Sequence, residues 1–571
     1  MASIKGPTWA TLPLITLPGF GVAIVWSTEM AFASPYLLSL GLSKSMMTLV
    51  FISAPLSGFV VQPVIGQIAD KSTSKYGRRR PFMLFGCLVS VISFLLLGFT
   101  SRFADLFIAG PSQSNDTLTQ LLAVFAVYSV NFAVNVVMVA NKTIIIDLLA
   151  GDQQGSANAW AARMGGIGSV CGYFVGQVDL VRIFPYLGHT QLQVLSILGG
   201  IVLLTTQGVT MICVQEVPLE ASDQRPDTSA EKGMLRSLRA IISLAKIFPT
   251  LPKPIRQLCW IQFFSWIGWF PAAFFTTTWI GELYRKDHPI ESGGTSHNMD
   301  AEATRYGSLA MFWSSILSLA VLLTLPRFIA PSKKASDHRH ADSLLEWIRY
   351  SLNHRPDLAT VYAATHLWFG LLFMVTWFWS KAIVVFLIYV ALGPCLASRD
   401  WVAGALLGEM IKEGTLVDHH GEHRTRPVPV TEHGSGDNHE SLLSDGDDEE
   451  RLIETSRLLP SSDPDASASG KRTDGRDTVG DQGGTIVGIM NTFICLPQFV
   501  MIALSSILFA ILEPGRSVTG GGAPPNSDKR GVTEGVASRG QHIDTLGLIF
   551  RIGGLSAFVA CYLTVNLARG R

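Results

Sequence analysis

About twelve stretches of this chain are apolar for close to the roughly 20 residues that a helix needs to cross the hydrocarbon core of a bilayer. They begin near Leu14, Thr48, Phe82, Leu121, Asn158, Gln191, Ile255, Ser308, Ala359, Ala382, Gly484 and Leu546. Helices satisfy every backbone polar group within one segment, which lipid requires, so the expected fold class is an all-α membrane protein. Composition agrees: charged residues make up 15% of the 571, against about 25% in soluble proteins, and the mean hydropathy is +0.33. The length would permit about four soluble domains of roughly 150 residues, but the regular return of apolar segments predicts one integral membrane domain.

Lysine and arginine set the orientation, because cytoplasmic loops hold their excess. The loop after span 2 has Lys71, Lys75, Arg78, Arg79 and Arg80. That after span 6 has Lys232, Arg236, Arg239, Lys246, Lys253 and Arg256, and that after span 8 has Arg327, Lys333 and Lys334. All three follow even-numbered spans, which predicts cytoplasmic termini, with residues 1–13 as a short cytosolic tail and no cleavable signal peptide. Asn115-Asp116-Thr117, a candidate glycosylation sequon, then falls outside, whereas Asn141-Lys142-Thr143 lies within span 4.

Two polar insertions divide the chain. Residues 215–254 form an expected cytosolic central loop between a six-helix half at 14–214 and a second at 255–571. Residues 411–482 interrupt the second half with Asp, Glu, Ser, Gly and His and few aromatics, a composition that predicts a disordered cytosolic insertion. Within it, Glu454 stands four residues before Leu458 and Leu459, in the pattern of a signal read by a sorting adaptor. Its His419, His420, His423, His433 and His439 read as solvated linker residues, and no metal site is expected. The seven cysteines fall in or beside apolar stretches and read as small buried hydrophobes. A net charge of zero, with basic residues confined to short loops, gives no case for nucleic acid.

The loop from Gly66 to Phe82 carries the most specific motif, Gly66-Gln67-Ile68-Ala69-Asp70 followed by Gly77-Arg78-Arg79-Arg80-Pro81-Phe82. It resembles the signature loop of the major facilitator superfamily. Its longer form, with Ser74-Lys75-Tyr76 before the glycine, is similar to that of the sucrose and α-glucoside proton symporters, the glycoside-pentoside-hexuronide type. The resemblance extends through Pro55-Leu56-Ser57-Gly58 and Val61-Gln62-Pro63, Asn158-Ala159-Trp160, Trp269-Phe270-Pro271, Thr277-Thr278-Trp279-Ile280-Gly281-Glu282, Gly488-Ile489-Met490-Asn491 and Pro497-Gln498-Phe499, and span 7 looks most like the fungal branch. It implies the major facilitator fold, twelve helices in two six-helix halves that rock about a midplane site. It also implies a cavity lined by spans 1, 4, 7 and 10. For the loop residues Gly66, Asp70, Gly77, Arg78, Arg79 and Arg80 a structural and gating role is expected, with plain topogenic charge that attracts anionic lipid as the open alternative for the three arginines.

A charge inside a span is costly and marks a functional position or a partner. Span 1 has Glu29 midway along its apolar run. Span 4 has Asn131, Asn135, Met138 and Lys142 on one helical face. Many plant relatives of the resembled family have an acid where this chain has Asn131 and an arginine where it has Lys142; that pair is implied to bind protons and steer sugar. An amide bonds a hydroxyl but exchanges no proton, and lysine lacks the planar fork of arginine. Three readings stay open: Glu29 takes over as the proton site with Lys142 nearby, transport is uncoupled, or Glu29 and Lys142 form a constant buried pair.

Sugar recognition asks for hydroxyl partners and flat apolar faces. Asn131, Asn135, Thr276, Thr277 and Thr278 offer the first, and Trp279 heads the candidates for the second, ahead of Trp26, Trp269 and Trp401. Asn491 and Gln498 are expected to pack between helices through their amides. The expected protein is a proton symporter of sucrose, maltose or a related α-glucoside, with no cofactor beyond the coupling proton. Its partners would be a sugar, the bilayer and a sorting adaptor, and it would sit in the plasma membrane or, alternatively, the vacuolar membrane. A sugar sensor that signals through the insertion is the competing class; no arrangement of residues suggests an enzyme.

Overall fold

The computed structural model describes residues 3–4, 7–70, 72–108, 110, 112–149, 153–216, 246–289, 296–329, 356–421, 483–513 and 544–569. Helices occupy all twelve expected positions. In the first half they are Thr11–Ser39, Lys44–Gly66, Arg80–Gly98, Gln113–Leu148, Gln154–Gln177 and Gln191–Cys213. In the second they are the bent pair Lys253–Phe274 and Thr276–Asp287, then Ser296–Thr324, Leu358–Val375, the bent pair Ala382–Ala391 and Gly393–Met410, Ile486–Leu512 and Thr545–Arg569. Nine helices among the described residues are long and apolar enough to cross a membrane, and the two bent pairs bring the number to 11. Span 5 has 24 residues, but its glycines and Arg163 dilute its hydropathy.

Local sequence explains where the helices start. Ser43 caps span 2 by accepting from the Met46 N–H, Ser112 caps span 4 by accepting from the Asn115 N–H, and Asp357 caps span 9 through the Thr360 N–H at 2.9 Å. Thr190 and Gln193 form a reciprocal capping box at span 6. Asn115, the expected acceptor of a glycan, lies in the first turn of span 4 and is buried. Its Nδ2 donates to Asp105 Oδ1 at 2.7 Å and to the carbonyls of Ile108 and Gly110 at 3.2 Å.

Helices in each half pack through small residues. Gly168 lets span 5 approach span 1 so closely that a Cβ there would stand 2.5 Å from the Phe20 carbonyl oxygen. The ends of the first half are joined as well: Ser3–Ile4 pairs antiparallel with Val214–Gln215, tying the chain before span 1 to the chain after span 6. The segment expected as a short N-terminal tail therefore contributes a strand.

The membrane helices form one compact unit, Met1–Met410 with Gly484–Arg571. A second unit, Ile411–Gly483, is described only at its edges, as helix through Gly421 and again at Gly483. Leu458, Leu459, His423, His433 and His439 lie outside the described residues, as do the side chains of His419 and His420.

Ion pairs that join the two halves include Lys44 with Glu282, Lys44 with Glu513, and Arg305 with Asp179. These stand on the side opposite the basic loops. On the basic side Lys142 is exposed, although it belongs to a membrane helix. On the side opposite the basic loops the two halves are thus held in contact.

At the start of span 12, Asp544 accepts from the Gly547 N–H at 2.8 Å and from the Trp279 indole N–H at 3.1 Å, and stands 3.8 Å from Arg551. Asp544→Ala removes a cap and leaves a buried indole donor unpaired, a cost of about 1–3 kcal/mol. The expected result is a lower melting temperature of the detergent-solubilised protein, with helical circular dichroism at low temperature retained.

Candidate functional site

The midplane of the first half is a ladder of buried polar side chains. Glu29 on span 1 is 2% exposed, and Asn131 on span 4 is 1% exposed. Asn131 Nδ2 donates to Glu29 Oε1 at 2.5 Å, to the Val127 carbonyl at 3.0 Å and to Ser53 Oγ at 3.3 Å. One turn along, Asn135 Nδ2 donates to Ser57 Oγ at 2.8 Å and to the Asn131 carbonyl at 3.0 Å, and Gln62 Nε2 donates to Asn135 Oδ1 at 3.1 Å. The geometry follows from helical periodicity: Asn131 and Asn135 on span 4 meet Ser53 and Ser57 on span 2, each pair four residues apart.

Asn131 Oδ1 is buried without a hydrogen-bond partner. An ionised Glu29 accepts from the Asn131 amide nitrogen, as here, and a protonated one has a hydroxyl hydrogen that the free Oδ1 could take after rotation of the amide. The amide thus offers a partner to either state of the acid, which a second carboxylate at this position would not.

Lys142 occupies the same helix eleven residues on, about 16 Å along its axis, and is exposed where Glu29 is buried. Among the described residues no ion pair joins the two, so the constant buried pair does not exist in this conformation.

Thr276, Thr277 and Thr278 sit at the break in span 7, where the two helical pieces meet at 54°. All three are buried. Thr276 Oγ1 donates back to the Ala272 carbonyl at 2.8 Å, the Thr277 hydroxyl is unpartnered, and Thr278 bonds Ser34 of span 1 at 2.7 Å. Trp279 is 1% exposed and stacks on Phe550 of span 12 with ring centroids 4.4 Å apart, so in this conformation its face is covered by protein. Trp269 lies under the Arg399 guanidinium at 4.9 Å. Asn491 Nδ2 reaches the Gly58 carbonyl on span 2 at 3.5 Å, and Gln498 Nε2 donates within its own helix, to the Ile494 carbonyl at 3.0 Å.

The loop after span 2 is a network within the first half. Arg79 is 3% exposed, its Nε bonds Asp147 Oδ2 at 2.9 Å, and Arg78 pairs with the same oxygen at 3.2 Å. Arg80 donates to the Met211 carbonyl at the end of span 6. Gly77 has φ of 107°, and a Cβ there would stand 2.5 Å from Glu216 Oε2, so glycine is required on two counts. Glu216 accepts from the Arg79 backbone N–H at 2.8 Å. Burial raises the Glu216 carboxyl above its ordinary range, opposed by the backbone N–H groups of Arg79 and Arg78 and by the charge of Arg80. Gly66 lies in the last turns of the helix Ser53–Asp70, and the side chain of Asp70 lies outside the described residues.

Ser53, Ser57, Gln62, Asp147 and Glu216 were not among the expected site residues. Ser57 and Gln62 stand in the motifs Pro55-Leu56-Ser57-Gly58 and Val61-Gln62-Pro63, but nothing local marks which helix their side chains will face.

Residues 14–145 match the family described as MFS/sugar transport protein. A general alpha-glucoside permease of Schizosaccharomyces pombe is 35% identical over 364 residues, 63% of this chain and 63% of its own. A sucrose transport protein of Oryza sativa subsp. indica is 27% identical over 326 residues, 54% of this chain and 59% of its own. The chain therefore spans less than two thirds of the length of these curated relatives.

Among solved structures, one described for substrate recognition in proton dependent oligopeptide transporters aligns with a TM-score of 0.54 at 10% identity, over 97% of this chain and 98% of that one. A D-xylose-proton symporter aligns with a TM-score of 0.50 at 10% identity, over 99% and 100%. These show the fold alone, and with the twelve helices in two halves it is the all-α major facilitator fold. In sequence the chain resembles the sucrose and α-glucoside permeases of that superfamily, the fungal permease more than the rice protein. The relatives and structures named here are transporters and not enzymes.

Proposed function

We propose that this protein is a secondary active transporter that carries sucrose, maltose or a related α-glucoside by proton symport, with Glu29 as the group that exchanges the proton. The observation that carries the reading is the Glu29–Asn131 contact: a membrane-buried acid held by an amide, at the end of a polar ladder that continues through Asn135 to Gln62. Asn131 and Asn135 supply hydrogen-bonding groups beside that acid. Lys142, on the same face and exposed on the basic side, keeps a cation on the route to the cytoplasm. Thr276, Thr277, Thr278 and Trp279 would join the sugar site only in a conformation that uncovers the outer part of span 7.

Coupling is consequential for such a carrier. One charge moved through ~100 mV is worth about 2.3 kcal/mol, enough for roughly 50-fold accumulation, whereas an uncoupled carrier only equilibrates. The domain boundaries at 14–214 and 255–571, cytoplasmic termini, residence in the plasma membrane, anionic lipid at the loop arginines and an adaptor at Leu458 and Leu459 belong to the same proposal.

The test is the pH of a lightly buffered medium when sucrose or maltose is added to starved cells that express the protein and lack their own disaccharide carriers, with labelled sugar followed in parallel. Alkalinisation with uptake is expected. Uptake without a pH change would make the protein an uncoupled facilitator, and the absence of both signals would bring the sensor, or a different substrate, to the front.

Two substitutions sharpen the assignment. Glu29→Gln is expected to abolish uphill uptake while sugar exchange between preloaded vesicles continues, and loss of both would point instead to folding or sugar binding. Asn131→Asp places a second carboxyl against Glu29, and two such groups titrate as a pair. Uptake should then change with pH in a displaced or two-step profile, and an unchanged profile would put position 131 outside the coupling path.

A further inference from the structure

We propose that Lys44 is an ion lock that holds the transporter shut on its outer side by gripping two carboxylates of the opposite half, and that its release opens the path from outside. Lys44 begins span 2 and is 5% exposed. Its Nζ stands 2.6 Å from Glu282 Oε1 on the outer piece of span 7, and 3.1 and 3.0 Å from Oε1 and Oε2 of Glu513 at the end of span 11. The Phe509 ring lies 5.7 Å from the same nitrogen. One lysine of the first half thus ties together two helices of the second.

The neighbouring contacts make this a closure rather than a lone ion pair. Ser45 and Ser506 hydroxyls meet at 2.7 Å, Ser34 and Thr278 hydroxyls meet at 2.7 Å, and Phe51 packs on Phe274 with ring centroids 4.7 Å apart. Each pair joins the first half to the second. Thr278 and Glu282 lie one turn apart on the piece Thr276–Asp287, so a single face of that piece docks on spans 1 and 2.

The break that frees this piece has local causes. Pro271 in the preceding turn lacks an N–H, and Thr276 bonds back to the Ala272 carbonyl, a contact that bends helices. A buried lysine needs its partners, and a hydrated one does not. The lock is therefore satisfied when shut and when open to water, and unsatisfied between, which gives two discrete positions.

The lock rests on the transport reading only for what passes through it, and its first test needs no sugar. In intact cells expressing the full chain, Thr278→Cys is labelled with a membrane-impermeant maleimide, against the parent protein as background for its native cysteines. Added Lys44→Met is expected to raise the labelling rate by about ten-fold or more, because breaking a buried pair unbalances the closed state. Lys44→Arg should stay close to the Thr278→Cys reporter. Glu282→Gln with Glu513→Gln, nearly isosteric, should open the same side and serves if Lys44→Met does not fold.

An unchanged labelling rate in both variants would overturn the proposal. The second arm is Ser45→Cys with Ser506→Cys. Oxidation should cross-link the pair and stop sugar uptake, and reduction should restore it; full uptake by the cross-linked protein would overturn the lock. No sugar uptake by the parent, with the labelling response intact, would sink the sugar reading and leave the lock standing.

Discussion

Hydrocarbon offers no hydrogen-bond partner, so every polar group placed in it must be satisfied by the protein itself. Helices meet that demand for the backbone, and most intramembrane hydroxyls meet it locally. Ser27 bonds the Ala23 carbonyl, Thr28 that of Ile24, Ser90 that of Gly86 and Thr206 that of Val202, each four residues back on its own helix. Such contacts say little about function. The informative polar groups are those that reach to another helix, and two sets of them bear on transport. The ladder of Glu29, Asn131, Asn135, Ser53, Ser57 and Gln62 lies within one half and can survive a rocking motion intact. The contacts of Lys44, Ser34 and Ser45 lie between halves, and no rocking motion can keep them.

The spans were legible in the sequence because crossing a bilayer is a demand on one segment at a time. Even span 5, whose glycines and Arg163 lower its hydropathy, was marked by its motif and its length. The face shared by Asn131 and Asn135 was legible for the same reason, since periodicity fixes it. What that face meets was not. The bond from Asn131 to Glu29 spans 102 positions of sequence and that from Lys44 to Glu513 spans 469, and neither has a local signature. Lys44 reads in the sequence as an ordinary end-of-span cation. Sequence also suggested that Glu29 and Lys142 could be neighbours; the axial rise of span 4 separates them. The pattern Thr276-Thr277-Thr278-Trp279 suggested a sugar face; in this conformation Thr276 sits at a helix break, Thr278 bonds Ser34 and Trp279 stacks on Phe550, while the Thr277 hydroxyl is unpartnered.

An amide at position 131 keeps the site simple. Two carboxyls in contact would share a proton and titrate as a pair, so the state of either would depend on the other. An amide beside a single acid presents a donor nitrogen and an acceptor oxygen, and the unpartnered Oδ1 is the half that the bond to Glu29 leaves unused. One acid, one proton and one neutral partner make the smallest set that can couple a proton to a carrier. Asparagine at this position is therefore no argument against coupling, provided that an acid stands within its reach.

Under the symport reading, that set must also be linked to the closure of the outer side. The link is short. Ser34, which bonds Thr278 across the halves, follows Glu29 on the same helix by five residues, about 7 Å along the axis. A shift of span 1 that accompanies a change of partner at Glu29 is delivered directly to the Ser34 contact, and through the piece Thr276–Asp287 to Glu282 and Lys44. Coupling through this route needs no relay of side chains across the protein, only one helix that carries the proton site at its middle and a closure contact near its end. Both groups then bias the same two-state element, which is the physical requirement for coupling between sites.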